Sequence, residues 1–224
     1  MTEETAFGPE KASSIALLKS KELDSIPVLW KIYDELTIRK RNSRVDGWVK
    51  DRVEEIKAKY ATADWKDSPL FRGYVATHDR FSDEKGILSS CEGLIDFILE
   101  KGSIPRINNF VDVYNVISAI TGVSIGAHDV EKLVGSPKLE ILPQGMLFVP
   151  IGARGEGSAK KGEFAYLDME GVICRMDIRQ CDRTKITEDT RHVFVIFQGH
   201  DSMDHALLKE SMEMLDRTVG MVRT

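Results

Sequence analysis

Residues 104–133 read IPRINNFVDVYNVISAITGVSIGAHDVEKL, and the fold depends on this stretch. Its pattern predicts a helix that begins near Asn108 and Asn109 and ends at Gly122. Asparagine is a good N-cap, and glycine is the residue that most often follows the last turn of a helix. Apolar residues cover most of the circumference between these ends, which is typical of a buried helix. The sequence therefore predicts a central buried helix.

Three polar residues interrupt this apolar helix. Asp112, Asn115 and Ser118 are spaced three apart, so they lie along one side of it. Buried polar groups need hydrogen-bond partners. The stripe is therefore expected either to hold a neighbouring loop in place or to face a pocket, and physics alone favours the first interpretation.

The bulk properties are those of an ordinary globular protein. The chain has 224 residues, 42% of them hydrophobic and 30% charged, with a net charge of −5. We expect an N-terminal tail over residues 1–24 and a single domain over residues 25–224 whose first part, residues 25–66, is helical. No apolar run is long enough to cross a membrane, and the N-terminus does not have the pattern of a secretory signal. Three cysteines favour a reducing cytoplasm.

The order of the predicted elements indicates an α+β fold. Helical spacing recurs over residues 26–60 with one break, and again over residues 71–82 and 89–101. Strand-like runs follow at residues 139–149, 163–167, 171–175 and 192–198, the last of which is expected to be central, and a helix is predicted over residues 206–219. Helices and strands that do not alternate argue against a doubly wound sheet.

Three polar loops are candidates for chemistry. Residues 152–162 contain four glycines, including Gly155 and Gly157, so the backbone could approach a ligand closely, although a flexible hairpin tip is equally consistent. Residues 175–190 mix arginines, aspartates and threonines, with buried arginine–carboxylate pairs as the structural alternative. Residues 122–129 contain His128, the histidine best placed to act, although a lone histidine is more often structural.

Other site types are poorly supported. Cysteine and histidine spacings do not match a zinc site, so we expect no metal and no cofactor. The nucleophile elbow of a Ser-His-Asp hydrolase is missing from the sequence. Arg39, Lys40 and Arg41 form a basic run that is either a solvated face or a phosphate contact. Because the net charge is negative, any RNA binding would rely on such a local patch.

The central stretch also carries a family resemblance. PRINNFVDVYNVISAITGVSIGAHDVEKL resembles the editing module of the phenylalanyl-tRNA synthetase β subunit, which reads roughly P-x-N-N-x-V-D-x-x-N-Y followed by H-A-x-D. Residues 162–190 are similar to the G-E-(I/V)-x-Y-x-D, G-V-(I/L)-C-R, R-(Q/E) and T-x-x-T segments of free-standing proteins built from this module. Gly126 occupies the histidine position of H-A-x-D, and Met176-Asp177-Ile178 stands where tryptophans are common. Both departures suggest a pocket that prefers a different amino acid.

The resemblance implies a fold, an activity and a set of residues. It implies a mixed, mostly antiparallel sheet packed with helices, and cytoplasmic hydrolysis of a mischarged aminoacyl-tRNA in trans. His128 or Glu163 would orient water, and Arg39, Lys40 and Arg41 would contact tRNA. The substrate-binding candidates are Asn108, Asn109, Asp112, Asn115, Gly155, Gly157, Arg179 and Thr187.

Two alternatives remain open at the level of sequence. The chain could be a non-catalytic module that binds tRNA or a free amino acid. It could also act on a small molecule unrelated to tRNA. The expected partner is tRNA rather than DNA or a membrane, and the sequence indicates neither the amino acid nor the oligomeric state.

Overall fold

The computed structural model describes residues 14–62 and 64–223. Five α-helices lie in this part of the chain: α1 (Ser43–Lys59), α2 (Pro69–Phe81), α3 (Ser90–Lys101), α4 (Asn109–Thr121) and α5 (His205–Thr218). The strands are β1 (Leu18–Lys19), β2 (Val28–Tyr33), β3 (Ser124–Asp129), β4 (Lys138–Ile141), β5 (Met146–Phe148), β6 (Gly157–Ala159), β7 (Phe164–Asp168), β8 (Gly171–Arg175), β9 (Arg179–Gln180) and β10 (Val193–Gln198). The described helices include none that is long and apolar enough to span a bilayer.

The strands form three sheets. One has the order β1-β4-β7-β8-β9, the second β2-β10-β3, and the third is the hairpin β5-β6. Every pairing is antiparallel except that of β1 with β4. The predicted α+β class with a mixed, mostly antiparallel arrangement is therefore confirmed.

The predicted central helix is α4. Asn108 caps its N-terminus by accepting a hydrogen bond from the Val111 amide, and Gly122 ends it in the left-handed conformation with φ 76°. Eleven of its thirteen residues are buried. Helices α1, α3 and α5 pack against it, which confirms the prediction of a buried helix surrounded by other elements.

Strand β10 is buried on both faces, as expected for a central strand. Val193, Val195 and Phe197 pack in the core that contains the helices. Phe194 and Ile196 point to the opposite face and pack in a second core together with residues of the five-stranded sheet, including Phe164. The three-stranded sheet therefore lies between the helices and the five-stranded sheet.

Two predicted elements are wrong. The helix predicted from residue 26 is the strand β2, which pairs with β10 from Val28 to Tyr33; its apolar residues occupy both faces of a strand, and this mimics helical spacing. The predicted loop at residues 122–129 is largely β3, in which Ile125 and Ala127 pack towards the helices. The second part of the helical prediction over residues 26–60 is correct, because α1 covers Ser43–Lys59.

The predicted N-terminal tail differs from the structure where the structure describes it. Residues 1–13 of that tail lie outside the described residues. In the remainder, Leu18 and Lys19 pair with β4, and the side chains of Ile15 and Leu23 are buried in the second core. Residues 14–24 are therefore packed against the five-stranded sheet.

Candidate ligand-binding cavity

A cavity of about 120 Å³ lies between the three-stranded and the five-stranded sheets. Its volume approaches the ~150 Å³ of a cavity that holds one benzene ring, so it suits a small ligand or one side chain. Its walls come from the start of α3, from β3, β7 and β10, and from β8, β9 and the segment that joins them. The residues that line it are Ser90, Ser124, Ile125, Gly126, His128, Tyr166, Cys174, Met176, Asp177, Ile178, Gln180, Ile196 and Gln198.

The floor of the cavity is built by the pairing of β3 with β10. Ser124 lies opposite Gln198, and Gly126 lies opposite Ile196. Because alternate residues of a strand share one face, Ser124, Gly126 and His128 form a row that faces away from the helices. This placement puts Gly126, the first departure from the family pattern, in the middle of the floor.

Gln198 brings an unsatisfied donor to the cavity. It is 2% exposed, and its Oε1 accepts a hydrogen bond of 2.5 Å from the Tyr166 hydroxyl. Its Nε2 finds no hydrogen-bond partner among the residues that the structure describes. A buried polar group without a partner costs about 1–3 kcal/mol. A bound ligand with an acceptor group would satisfy this amide.

A buried ion pair reaches the cavity from α2. Asp177 accepts hydrogen bonds of 2.5 Å from the Ser124 hydroxyl and from His78 Nε2, and His78 Nδ1 donates to the Ile87 carbonyl. Burial opposes charging of both groups, but their mutual attraction and these hydrogen bonds outweigh it. They raise the pKa of His78 and lower the pKa of Asp177. Ser124 and His78 bond different oxygens of the Asp177 carboxylate, and the serine hydroxyl donates to the carboxylate instead of to the histidine, so this is not a Ser-His-Asp nucleophile.

Asp177 follows a residue with an unusual backbone conformation. Met176 has φ 48°, in the left-handed region that side chains other than glycine rarely adopt. Its side chain is fully buried. The second departure from the family pattern, Met176-Asp177-Ile178, therefore lines the same cavity as the first.

His128 lies at the end of the floor row of the cavity as a neutral group. Burial lowers its pKa to about 3. Its Nδ1 is 2.7 Å from the Thr184 hydroxyl and 3.2 Å from Gln180 Nε2, which also donates to the Ala127 carbonyl. An amide nitrogen only donates, so Nδ1 accepts and the ring proton is on Nε2. His128 is therefore suited to donate a hydrogen bond and unsuited to accept a proton.

Glu163 lies outside the cavity. Its carboxylate accepts from Arg175 Nε at 2.7 Å and Nη2 at 2.6 Å, from the Ser82 hydroxyl at 2.9 Å and from the Lys160 amide at 2.8 Å. Burial alone would raise the pKa of Glu163, but these bonds lower it. The four donors occupy the lone-pair positions of a carboxylate, so Glu163 cannot orient water without losing one of them. It anchors the β7–β8 hairpin to the end of α2.

The polar residues of α4 hold neighbouring segments in place. Asn109 accepts from the Arg39 amide and donates to the Thr37 carbonyl, and Asp112 accepts from the Ile107 amide and from Arg106 Nε. Ser118 donates to the Val123 carbonyl. These bonds agree with the structural interpretation of the polar stripe. Asn108, Asn109, Asp112 and the half-buried Asn115 do not line the cavity.

The remaining substrate-binding candidates lie on loops and edges. Gly155 is exposed between β5 and β6, and Gly157 packs against Pro150. Arg179 is exposed in β9, between Ile178 and Gln180 of the cavity wall. The Thr187 amide donates to the hydroxyl of Thr190, which in turn donates to Asp129. Arg179 alone of these four is adjacent to the cavity along the chain.

The basic run lies at the opposite end of α4 from the cavity. Arg39, Lys40 and Arg41 are exposed, and Asn109 fixes the backbone around Arg39 against the N-terminus of α4. The cavity begins at Ser124, just beyond the C-terminal Gly122. Helix α4 has 13 residues, so it separates the two by about 20 Å.

Several cavity residues are not predictable from their own segments. Asp177 lies in the polar segment 175–190, so a signal for it existed. Gln198 and Tyr166, and His78 behind Asp177, come from elements whose sequence pattern is that of ordinary core, and only the packing of α2 and the two sheets brings them together. Within the described ranges, His, Cys, Asp and Glu residues do not form a group of three or more that could hold a metal.

Comparison with known proteins identifies the fold and the family. The structure is similar to an N-terminal fragment of the phenylalanyl-tRNA synthetase β subunit from Pyrococcus horikoshii, with a TM-score of 0.53 and 12% identity over 93% of this chain and 49% of that chain. The sequence is 27% identical over 109 residues to the phenylalanine–tRNA ligase β subunit of Mycoplasma pneumoniae, a match that covers 49% of this chain and 13% of that protein. The B3/4 domain model matches residues 80–220, well over half of the chain, so this protein belongs to the B3/4 domain family.

Proposed function

We propose that this protein hydrolyses the ester of a mischarged aminoacyl-tRNA in trans, with the aminoacyl group held in the cavity between the sheets. The observation that carries the proposal is a small cavity whose floor includes the unpartnered amide of Gln198. An apolar pocket with a few convergent polar groups is the usual form of a small-molecule site. The family and the relationship to a phenylalanine–tRNA ligase β subunit support an aminoacyl-tRNA as the substrate.

The chemistry requires positioning more than acid–base catalysis. In ester hydrolysis, water attacks the carbonyl carbon, the carbonyl oxygen becomes an oxyanion, and the ribose oxygen leaves with a proton. Donors placed at the oxyanion lower this barrier in a water-poor site. His128 can supply such a donor through Nε2, and the Ser124 hydroxyl, whose proton is directed to Asp177, can accept from the attacking water or from the amino group of the substrate.

The tRNA itself would be bound outside the cavity. Arg179 is exposed between the cavity residues Ile178 and Gln180, and Arg39, Lys40 and Arg41 form the exposed patch at the other end of α4. We propose that these cations contact phosphates and that the reaction takes place in the cytoplasm, where charged tRNA is present.

A panel of mischarged tRNAs tests the proposal. We expect the purified protein to deacylate one or a few esters, with the same rate in the presence of a chelator. Gln198→Leu removes the unpartnered amide together with the acceptor of the Tyr166 hydroxyl, so kcat/KM for the preferred ester should fall by at least about tenfold, the equivalent of one hydrogen bond. Gln144→Leu, at an exposed turn residue, is the matched control and should keep wild-type activity.

The alternative is a module that binds tRNA or a free amino acid without hydrolysis. Bound tRNA with no ester cleaved above the buffer rate would favour that alternative. Cleavage that Gln198→Leu leaves unchanged would place the reaction outside this cavity.

A further inference from the structure

We propose that Gly126 sets the upper size of the aminoacyl side chain that the cavity accepts. This inference rests on the proposed function and adds a specificity-determining residue to it. Gly126 lies in the interior of β3, between Ser124 and His128, and lines the cavity. Glycine weakens a strand, and inside one it often marks a place where a ligand approaches the backbone.

The space at Gly126 is open. A Cβ atom built on this residue meets nothing within 4 Å. Two other glycines differ: a Cβ on Gly73 would lie 2.1 Å from the His200 ring, and one on Gly199 would lie 2.8 Å from the Met203 sulfur. At those two positions, neighbouring side chains leave no room for a side chain. At Gly126 no neighbour requires a glycine, and the free volume belongs to the cavity.

The backbone does not require glycine at this position either. Gly126 is absent from the residues with positive φ, unlike Gly122 and Gly135. A β-branched residue is favoured in a strand, so an alanine or valine side chain can be built at this position without strain. A side chain there would fill the middle of the floor opposite Ile196. Neither the backbone conformation nor a crowded neighbour accounts for glycine at this position. We therefore attribute it to the cavity space that the absent side chain leaves open.

The consequence is a graded effect on ligand size. In a cavity of about 120 Å³, the one carbon of an alanine side chain or the three carbons of a valine side chain displace a corresponding part of the ligand. A bulky aminoacyl group that the wild type accepts would clash with the introduced valine side chain, whereas a small group would still fit. A single methylene in a hydrophobic pocket changes discrimination by about 10- to 200-fold, so the effect is measurable.

The test uses binding rather than turnover. The probes are adenosine analogues in which a stable amide replaces the aminoacyl ester on the ribose, with glycyl, alanyl, valyl, leucyl and phenylalanyl groups. Dissociation constants are measured by calorimetry for the wild type, Gly126→Ala and Gly126→Val. Gly47→Val is the matched control, because the Cβ of Gly47 also meets nothing within 4 Å but lies on α1, away from the cavity.

We expect Gly126→Val to raise the Kd of the bulkiest analogue that the wild type binds by about tenfold or more, and that of the smallest by less than about twofold. Gly126→Ala should give an intermediate change, and Gly47→Val none. Thermal melts establish that each variant is folded. If Gly126→Val is unfolded, the comparison with the wild type relies on Gly126→Ala. If the wild type binds the analogues and both Gly126 variants bind them equally well, this inference is overturned and the proposed function is not. If the wild type binds none of the analogues, the amino-acid site of the proposed function is overturned as well.

Discussion

At the scale of single residues, burial decides the charge of the histidines. His128 has a pKa of about 3 because burial disfavours its charged form. His78 is also buried, but it faces the Asp177 carboxylate and the Ile87 carbonyl, so its pKa is raised. Two histidines close to one cavity therefore have pKa values that are shifted in opposite directions.

The low pKa of His128 predicts a specific acid sensitivity. In the unfolded chain this histidine takes up a proton near pH 6.5, whereas the folded protein holds it neutral down to about pH 3. The contribution of neutral His128 to the unfolding free energy is therefore highest above about pH 6.5. It falls by about 1.4 kcal/mol per pH unit as the pH drops towards the folded pKa. We therefore expect His128→Asn to lower stability at pH 7 and to reduce the loss of stability between pH 6 and 4.

Chemical denaturation at several pH values measures this slope. The informative quantity is the difference in unfolding free energy between wild type and variant, because other titrating groups cancel in it. His205→Asn, on the exposed start of α5, is the control for removing a histidine. A difference that does not change with pH would contradict the assignment of a neutral, buried His128.

At the scale of elements, α4 is an anchor whose polar side chains tie other segments to it. Asn109 makes two hydrogen bonds, one to the Arg39 amide and one to the Thr37 carbonyl, and is 1% exposed. Asn109→Ala would leave both backbone groups without these partners. We expect the unfolding free energy to fall by about 2–3 kcal/mol. Asn115→Ala, on the same helix but half-buried, should change it by less than about 0.5 kcal/mol.

Equilibrium unfolding in urea compares the two variants directly. Equal losses of unfolding free energy for Asn109→Ala and Asn115→Ala would mean that the two hydrogen bonds of Asn109 do not contribute to stability. A loss of deacylation in Asn115→Ala at unchanged stability would instead restore this residue as part of the substrate site.

Elements whose ends or apolar pattern are encoded by adjacent residues were predictable from the sequence. Elements that depend on pairing with distant strands were not. The capping asparagine and terminal glycine of α4, the turn between β7 and β8, and the apolar run of β10 are each encoded by adjacent residues. The sequence predicts a helix at β2 because Val28, Leu29, Ile32 and Tyr33 have helical spacing. Only the packing of these side chains in two different cores shows that both faces of a strand are covered. The cavity depends on the second type of information, since Gln198, Tyr166 and Asp177 meet only through tertiary packing.

At the scale of the whole molecule, the basic patch and the cavity lie at opposite ends of α4. The chain has a net charge of −5, so nonspecific attraction to RNA is weak and a local cluster must supply it. Arg39, Lys40 and Arg41 are exposed, and their backbone is fixed to α4 through Asn109. Under the proposed function, a patch about 20 Å from the cavity would hold the body of a tRNA while its acceptor end enters between the sheets.

Neutralising this patch should weaken tRNA binding in a way that depends on salt. Each phosphate contact contributes about 0.9 to the slope of log affinity against log salt for a duplex, so replacing Arg39, Lys40 and Arg41 with alanine should flatten that slope by up to about 2.7. The matched control replaces the scattered exposed lysines Lys21, Lys101 and Lys209, which changes the net charge equally, from −5 to −8. Filter binding of uncharged tRNA across a salt series measures both variants. Equal slopes for the two would assign the effect to net charge and the run of residues 39–41 to a solvated face, whereas a flatter slope in the clustered variant alone would identify a phosphate-binding surface.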